Sequence, residues 1–397
     1  MLKTTDNPPE KGIQRYCNMI QSIKKNLSSE GGVNMKSVRI VQSGDFHLDS
    51  PLALHHESFR RQRREELLQS FSRIIDFSIK TDASLLLLTG DLFDSSRVTP
   101  KTLDFLAKEM KRFPGRIFIS PGNHDPISAE SPYETYTFPD NAHIFREYEE
   151  IHLKELDCLV CGQGFTGAYQ HDNMLSGRKP EHSAAIRILV MHGEVTSGTS
   201  AYNPVSKESI EESGFSYIAL GHRHEFSGIG QAGGTSYAYA GIPEGRGFDE
   251  LGDKGVIYGE IFEKGTGLSF HRTSIRNYCA VDVSITGHFT TEEIAERILK
   301  ALTDKSALYK IELTGTVPSY LHLDLTSIET VLGRDLVYFT LTDKTTVHET
   351  LDQISENTLK GLFLKTIMER REASSADLNL LEEASNMGLR ILSQEDF

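Results

Sequence analysis

The stretch Leu85-Leu86-Leu87-Leu88-Thr89-Gly90-Asp91-Leu92-Phe93-Asp94 constrains this chain more than any other. Four consecutive leucines are too few to cross a membrane, and a glycine closes them off, so they read as a strand buried on both faces of a sheet. Such a strand needs a layer of structure on either side. Its far end is acidic, because Gly90 hands Asp91 to the carboxyl edge, where open α/β sheets bind ligands.

The same pattern recurs along the chain. Val38-Arg39-Ile40-Val41 runs into Gly44-Asp45-Phe46-His47, and Arg116-Ile117-Phe118-Ile119 into Gly122-Asn123-His124-Asp125. Ile186 to Met191 runs into His192-Gly193, and Tyr217 to Leu220 into Gly221-His222-Arg223-His224. Helical spacing of Leu67, Phe71, Ile74 and Ser78 predicts a helix over Phe59 to Lys80, which makes the first two strands a βαβ unit. A right-handed crossover puts Asp45 and Asp91 at one sheet edge. Thr99 and Pro100 start a second helix that runs to about Lys111. From Ala142 short strands, including Ile151 to Leu153 and Leu159 to Cys161, read as antiparallel. Ser236 to Ala240 and Gly255 to Phe262 close the region near residue 275.

Each loop alone reads as an ordinary polar loop. Together they offer two carboxylates (Asp45, Asp91), the Asn123 amide and four imidazoles (His47, His192, His222, His224), with His124 left over. Hard oxygen mixed with imidazole suits Mn²⁺, Fe²⁺ or Zn²⁺ better than Ca²⁺ or a thiolate site.

Composition narrows the function classes. The 397 residues carry 42 basic and 56 acidic side chains, a net charge of −14, which opposes a surface coated for nucleic acid. Any such binding must be local, aided by metal charge. The four cysteines make no disulfide framework in so long a chain, so a reducing cytoplasm is the expected compartment. No apolar run reaches the roughly 20 residues of a spanning helix. Cys158-Leu159-Val160-Cys161 sits inside an apolar strand and reads as packed thiols. Two Gly-x-Gly-x-x-Gly matches, at Gly162 and Gly228, lack the βαβ context of a dinucleotide site.

The motif series D-x-H, G-D-x-x-D, G-N-H-D, H-G and G-H-x-H resembles the calcineurin-like metallophosphoesterase superfamily over residues 37 to about 275. Within it, Asp45-Phe46-His47-Leu48-Asp49-Ser50-Pro51-Leu52, the Arg60-to-Glu66 helix start and Gly245-Arg246-Gly247-Phe248-Asp249-Glu250 are similar to the SbcD-type DNA repair exonucleases, in their YhaO-like bacterial branch. The resemblance implies an α/β fold of two packed mixed sheets flanked by helices, followed by a smaller capping domain. It implies two divalent ions, Mn²⁺ first, with Fe²⁺ or Zn²⁺ as alternatives. Asp45, His47, Asp91 and His224 would ligate one, and Asp91, Asn123, His192 and His222 the other. His124 matches the family histidine that meets the scissile phosphate. Asp94 stands where archaeal and eukaryotic relatives have histidine; it is read as orienting His124 from behind, with a loop-closing bond to backbone as the alternative.

The implied function is a two-metal phosphodiesterase, a DNA exonuclease or endonuclease in repair, working with an SMC-like coiled-coil ATPase. Two rivals stand: a phosphoesterase for a nucleotide, phosphoprotein or small phosphodiester, and a DNA-end or ATPase scaffold with little catalysis. A homodimer is compatible with the sequence. Arg60, Arg61, Arg63 and Arg64 read either as a solvated helix start or as a phosphate-backbone contact.

Domain boundaries are expected as a leader over 1–34, a catalytic domain over 35–275, and a capping domain with a helical tail over 276–397. Glu30 to Asn34 back-translates to a purine-rich ribosome-binding sequence, so translation is expected to start at Met35; Asp6 and Glu10 fit a targeting peptide poorly. In the last domain Tyr309 to Leu313, Leu321 to Leu325 and Val337 to Leu341 read as strands. Leu359 to Arg371 and Ala376 to Gly388 read as helices, with Leu359, Leu362, Phe363 and Ile367 as a core stripe or a partner groove.

Overall fold

The computed structural model describes residues 36–52, 57–318, 321–347, 358–371 and 377–394, so the expected leader and start site lie outside the described residues. The chain divides into two compact units, Met1–Ile275 and Arg276–Phe397.

In the first unit the strands of the two large sheets are β1 (Ser37–Ser43), β2 (Leu85–Leu88), β3 (Arg116–Ile119), β4 (Ala142–Ile144), β5 (Glu149–Leu153), β6 (Cys158–Gln163) and β7 (Ile186–His192). They continue with β8 (Tyr217–Gly221), β9 (Gly230–Ala232), β10 (Thr235–Tyr239), β11 (Gly255–Phe262) and β12 (Thr266–Arg272). Sheet one runs β12-β11-β1-β2-β3-β4 and sheet two β9-β10-β8-β7-β6-β5. Strands β1 to β4 are mutually parallel, as are β6, β7, β8 and β10, while β11, β12, β5 and β9 pair antiparallel. Ala142–Ile144 thus corrects the antiparallel reading, since it extends the parallel sheet beside β3.

Alternation explains how the sheets pack. Val38, Ile40, Leu85 and Leu87 of sheet one meet Val160, Ile188, Val190 and Ala219 of sheet two in one buried cluster. The remaining leucines, Leu86 and Leu88, face the other way, and all four are fully buried. Gln42 continues the inner face of β1 but is polar. Its amide donates to the carbonyls of Leu220 (3.2 Å) and Ala238 (3.0 Å), and its oxygen accepts from the Tyr217 hydroxyl. A satisfied polar group between two sheets favours one register over its neighbours.

Helix α1 (Glu57–Lys80) buries Leu67, Phe71, Ile74 and Ser78, the expected stripe. Helix α2 (Pro100–Arg112) begins at the expected N-cap, Thr99, whose hydroxyl accepts from the Thr102 amide. Cys158 and Cys161 are buried free thiols, each pushed up to about 12 by burial.

The second unit holds a three-stranded parallel sheet of Tyr278–Ser284, Leu308–Thr314 and Tyr338–Asp343. Leu321 to Leu325 is not a strand: Asp324 accepts from the Ser327 amide and caps the helix Leu325–Leu332. A helix over Thr291–Ala301 opens with a Thr290/Glu293 capping box that the sequence reading passed over. The tail helices are Leu359–Arg371 and Leu378–Gln394; Leu359 and Leu362 are exposed and so do not belong to a core stripe. Among the described residues no helix is long and apolar enough to cross a membrane.

Candidate metal centre

The loops at the carboxyl ends of β1 and β2 have unusual backbone. Asp45 (φ 53°), His47 (φ 46°) and Asp91 (φ 49°) lie in the left-handed region, and His222, after β8, has φ 106°. Such conformations cost about 1–3 kcal/mol each and persist where their surroundings enforce them. The enforcement here is a zipper between loops: the Asp45 amide donates to Gly90 O (2.8 Å), the His47 amide to Asp91 O (2.9 Å) and the Leu48 amide to Leu92 O (2.9 Å). A third carboxylate, Asp125, accepts from the amides of Asp91 (3.1 Å), Leu92 (2.7 Å), Phe93 (3.2 Å) and Gly122 (2.7 Å) and from the Tyr133 hydroxyl (2.6 Å). Glycine is required at 122, where a Cβ would lie 2.2 Å from Asp91 Oδ1.

The donors then converge. Asp91 Oδ2 lies 3.8 Å from His47 Nε2 and 3.5 Å from His192 Nε2. His47 Nε2 is 3.3 Å from His224 Nε2; Asn123 Oδ1 is 2.9 Å from His192 Nε2 and 3.2 Å from His222 Nδ1. Among the described residues, three sets of ligand atoms each fall within 4.8 Å of one another: Asp45/His47/His224, Asp45/Asp91/His192 and His47/Asp91/His124. The third set brings His124 beside the ligand atoms.

Burial sets the charge states. It pushes the Asp45 carboxyl well above its ordinary value, with nearby Asp91 adding to the rise, and it raises Asp91 as well. Burial followed by the Asp91 charge lifts Asp125 to about 6. The same desolvation holds His192 and His222 down at about 4, so both imidazoles are neutral near pH 7 and carry a lone pair for a cation. Partners fix which nitrogen that is: His192 Nδ1 faces the Thr89 carbonyl at 2.9 Å, and His224 Nδ1 faces Glu250 Oε1 at 2.9 Å, leaving Nε2 of each toward the cluster. Carboxylate oxygens facing imidazole lone pairs are acceptors facing acceptors, and divalent cations reconcile them. The residues present fit two such ions.

Residues 38–226 match the family described as calcineurin-like phosphoesterase. Over that stretch the first unit is similar to the calcineurin-like phosphoesterases. That family consists of phosphoester hydrolases with two-metal centres, which agrees with the donor set. The chain is 27% identical over 308 residues to the uncharacterized metallophosphoesterase YhaO of Bacillus subtilis, covering 72% of this chain and 74% of that one. It is 24% identical over 279 residues, 64% and 71% of the two chains, to the DNA double-strand break repair protein Mre11 of Sulfolobus acidocaldarius. The Mre11 protein of Saccharolobus solfataricus is 27% identical over 220 residues, 52% and 55%.

Two expectations about the site need correction. The Asp94 carboxylate does not reach back to His124; its Oδ1 lies 3.3 Å from His47 Nδ1 and 3.5 Å from Arg246 Nη1, and the His47 contact lowers its pKa. The cause is local: a Leu48–Phe93 bridge and the bond from the Asp94 amide to Leu48 O (3.1 Å) fold residue 94 over the first loop. His124 meets Asp94 through the main chain, its Nδ1 3.2 Å from the carbonyl. Arg63 does not join an exposed basic cluster. It is 1% exposed and pairs with Glu66 and, at 2.8 Å, with Glu244. The sequence reading also missed Asp125 and Glu250 as site residues, although both stand in quoted motifs, because the groups they hold are distant in sequence.

Proposed function

We propose that this protein is a two-metal phosphodiesterase that cleaves DNA. The single observation that carries the two-metal reading is the position of Asp91 Oδ2 between His47 Nε2 and His192 Nε2. Asp45, His47, Asp91 and His224 would hold one ion, and Asp91, Asn123, His192 and His222 the other, with Mn²⁺ favoured by the oxygen and imidazole mixture. Two such ions supply Lewis acidity at the phosphoryl oxygens and lower the pKa of water. The chain's own contribution is positional. The His124 amide donates to Asp91 Oδ1 (2.9 Å) and holds the shared carboxylate, while the exposed His124 ring, anchored through Nδ1, keeps Nε2 to steady or protonate the leaving oxygen.

DNA is favoured over a small phosphodiester by an aromatic row beside the site. The Tyr202 ring lies 4.8 Å from that of His222, the Tyr169 ring 6.0 Å from that of Tyr202, and the His171 ring 6.2 Å from that of Tyr169. Tyr169 is 64% exposed, and its loop is pinned by the Gln170 amide to Ala201 O (2.8 Å) and the Asn203 amide to Gln170 O (2.6 Å). A fixed exposed ring near a phosphate site suits base stacking. The repair proteins among the relatives support the same substrate, and a repair role with an SMC-like ATPase belongs to this reading. Exposed Leu359, Leu362, Leu378 and Leu380 on the tail helices suit such a coiled-coil partner, in which case residues 276–397 serve as the accessory domain.

The test offers the chain, with Mn²⁺, linear and circular DNA, single- and double-stranded, and an aryl phosphodiester. DNA cleavage is expected to disappear in Asp91→Asn and to fall about 10²–10⁴-fold in His124→Ala with Mn²⁺ binding retained. Intact DNA alongside turnover of the aryl ester would replace the DNA reading with the small-phosphodiester one.

A further inference from the structure

We infer that Arg246 is a positioning residue that locks the two imidazoles of one ion site, His47 and His224, into a single unit. The inference rests on the two-metal reading above. Metal-binding imidazoles are ordinarily aimed by a carboxylate on the second ring nitrogen. His224 has Glu250 at 2.9 Å and His47 has Asp94 at 3.3 Å. These carboxylates come from unrelated loops, one following β2 and the other between β10 and β11. One guanidinium spans them. Its Nη2 is 2.7 Å and its Nε 3.2 Å from Glu250 Oε1, and its Nη1 is 3.5 Å from Asp94 Oδ1, while the Arg246 amide donates to Glu250 Oε2 at 2.7 Å.

The loop that carries Arg246 is itself held from behind. Buried Arg63 donates to the Gly245 carbonyl at 2.9 Å and pairs with Glu244, whose other oxygen accepts from the Ile275 amide. Lys254 Nζ adds a bond to the His224 carbonyl at 3.3 Å. The guanidinium therefore stands on a fixed base, and its planar fork serves two acids at once, which the single-point ammonium of lysine does not reproduce. On the other ion, His192 is set differently: it leans on the Thr89 carbonyl, and its own carbonyl accepts from the Asn203 side-chain Nδ2 at 2.8 Å. Loss of Arg246 must then loosen the Asp45/His47/Asp91/His224 ion and spare its neighbour.

The full chain, stripped with chelator, is titrated with Mn²⁺ by calorimetry and by electron paramagnetic resonance of the bound ions. In Arg246→Gln, one of two sites is expected to weaken about 10–100-fold while the other stays within about twofold. Arg246→Lys should rescue little. Asp94→Asn, at the partly exposed end of the fork, should weaken the same site, and Arg246→Gln combined with Glu250→Gln should cost no more than the worse single change. Unchanged Mn²⁺ affinity with a raised KM would overturn the inference and make Arg246 a substrate contact; equal weakening of both sites would overturn it as well. Wild-type protein that binds fewer than two Mn²⁺ would instead overturn the two-metal reading beneath it.

Discussion

The two six-stranded sheets bring unlike chemistry to the centre. Sheet one supplies the charge, Asp45 and Asp91, from loops in left-handed backbone that are zipped together and fastened by Asp125. Sheet two supplies the imidazoles His192, His222 and His224, of which burial keeps the first two neutral, and the partner that orients His192 is the Thr89 carbonyl of the opposite sheet. One side is self-supporting and electrostatically costly; the other brings imidazoles and depends on how the sheets register. Damage to sheet one should therefore read out first as lost stability and lost metal, and damage to sheet two as altered pH response or altered packing.

The sharpest way to break this contrast is Asp125→Ala, which strands four backbone amides and the Tyr133 hydroxyl in a buried setting. A loss of at least about 3 kcal/mol in urea unfolding is expected, together with loss of Mn²⁺ binding. A loss below about 1 kcal/mol would mean that the zipper stands without its acid. The sheet-two counterpart is a pH experiment on chelator-treated protein. His192 is held neutral to about pH 4 in the fold, while the unfolded chain takes up its proton near 6.5. Its contribution therefore erodes as pH falls from 6.5 toward 4, by about 3 kcal/mol. Asp125, raised to about 6, acts in the opposite sense, its contribution present at low pH and lost as pH rises through 6. The difference between the wild-type and His192→Asn stability curves isolates the histidine, and parallel curves would remove it from the account.

Gln42→Met tests the join between the sheets. It leaves the Leu220 and Ala238 carbonyls and the Tyr217 hydroxyl without their inter-sheet partner, and about 2 kcal/mol of destabilisation is expected by chemical denaturation. The smallest structural effect belongs to Tyr169→Ala on the exposed rim: stability within about 0.5 kcal/mol of wild type, but single-stranded DNA binding about tenfold weaker by fluorescence anisotropy. Unchanged affinity would detach the aromatic row from substrate recognition.

What could be read from the sequence followed from local physics. A run such as Leu85–Leu88 closed by glycine and acid specifies both a buried strand and the end at which chemistry sits, and each of the five loops follows or ends such a strand. What escaped depends on distance in the chain. Three of the four amides that Asp125 holds lie 32 to 34 residues away, and Glu250 acts on an imidazole 26 residues away, so no spacing rule flags either. Arg63 stands among three other arginines in sequence, yet its pairing with Glu244, 181 residues distant, takes it out of water. Alternation misled at Leu321 to Leu325 because Asp324 works as a helix cap there, a local rule that outranked the pattern.

Position 124 contributes twice, through a peptide amide that braces Asp91 and through a ring that reaches toward solvent. The brace belongs to the main chain and is indifferent to which side chain the residue bears. A chain built this way can exchange the proton-handling group at its rim for another while its cation grip is inherited intact, so changes of chemistry and changes of metal affinity are separable by substitution at a single residue.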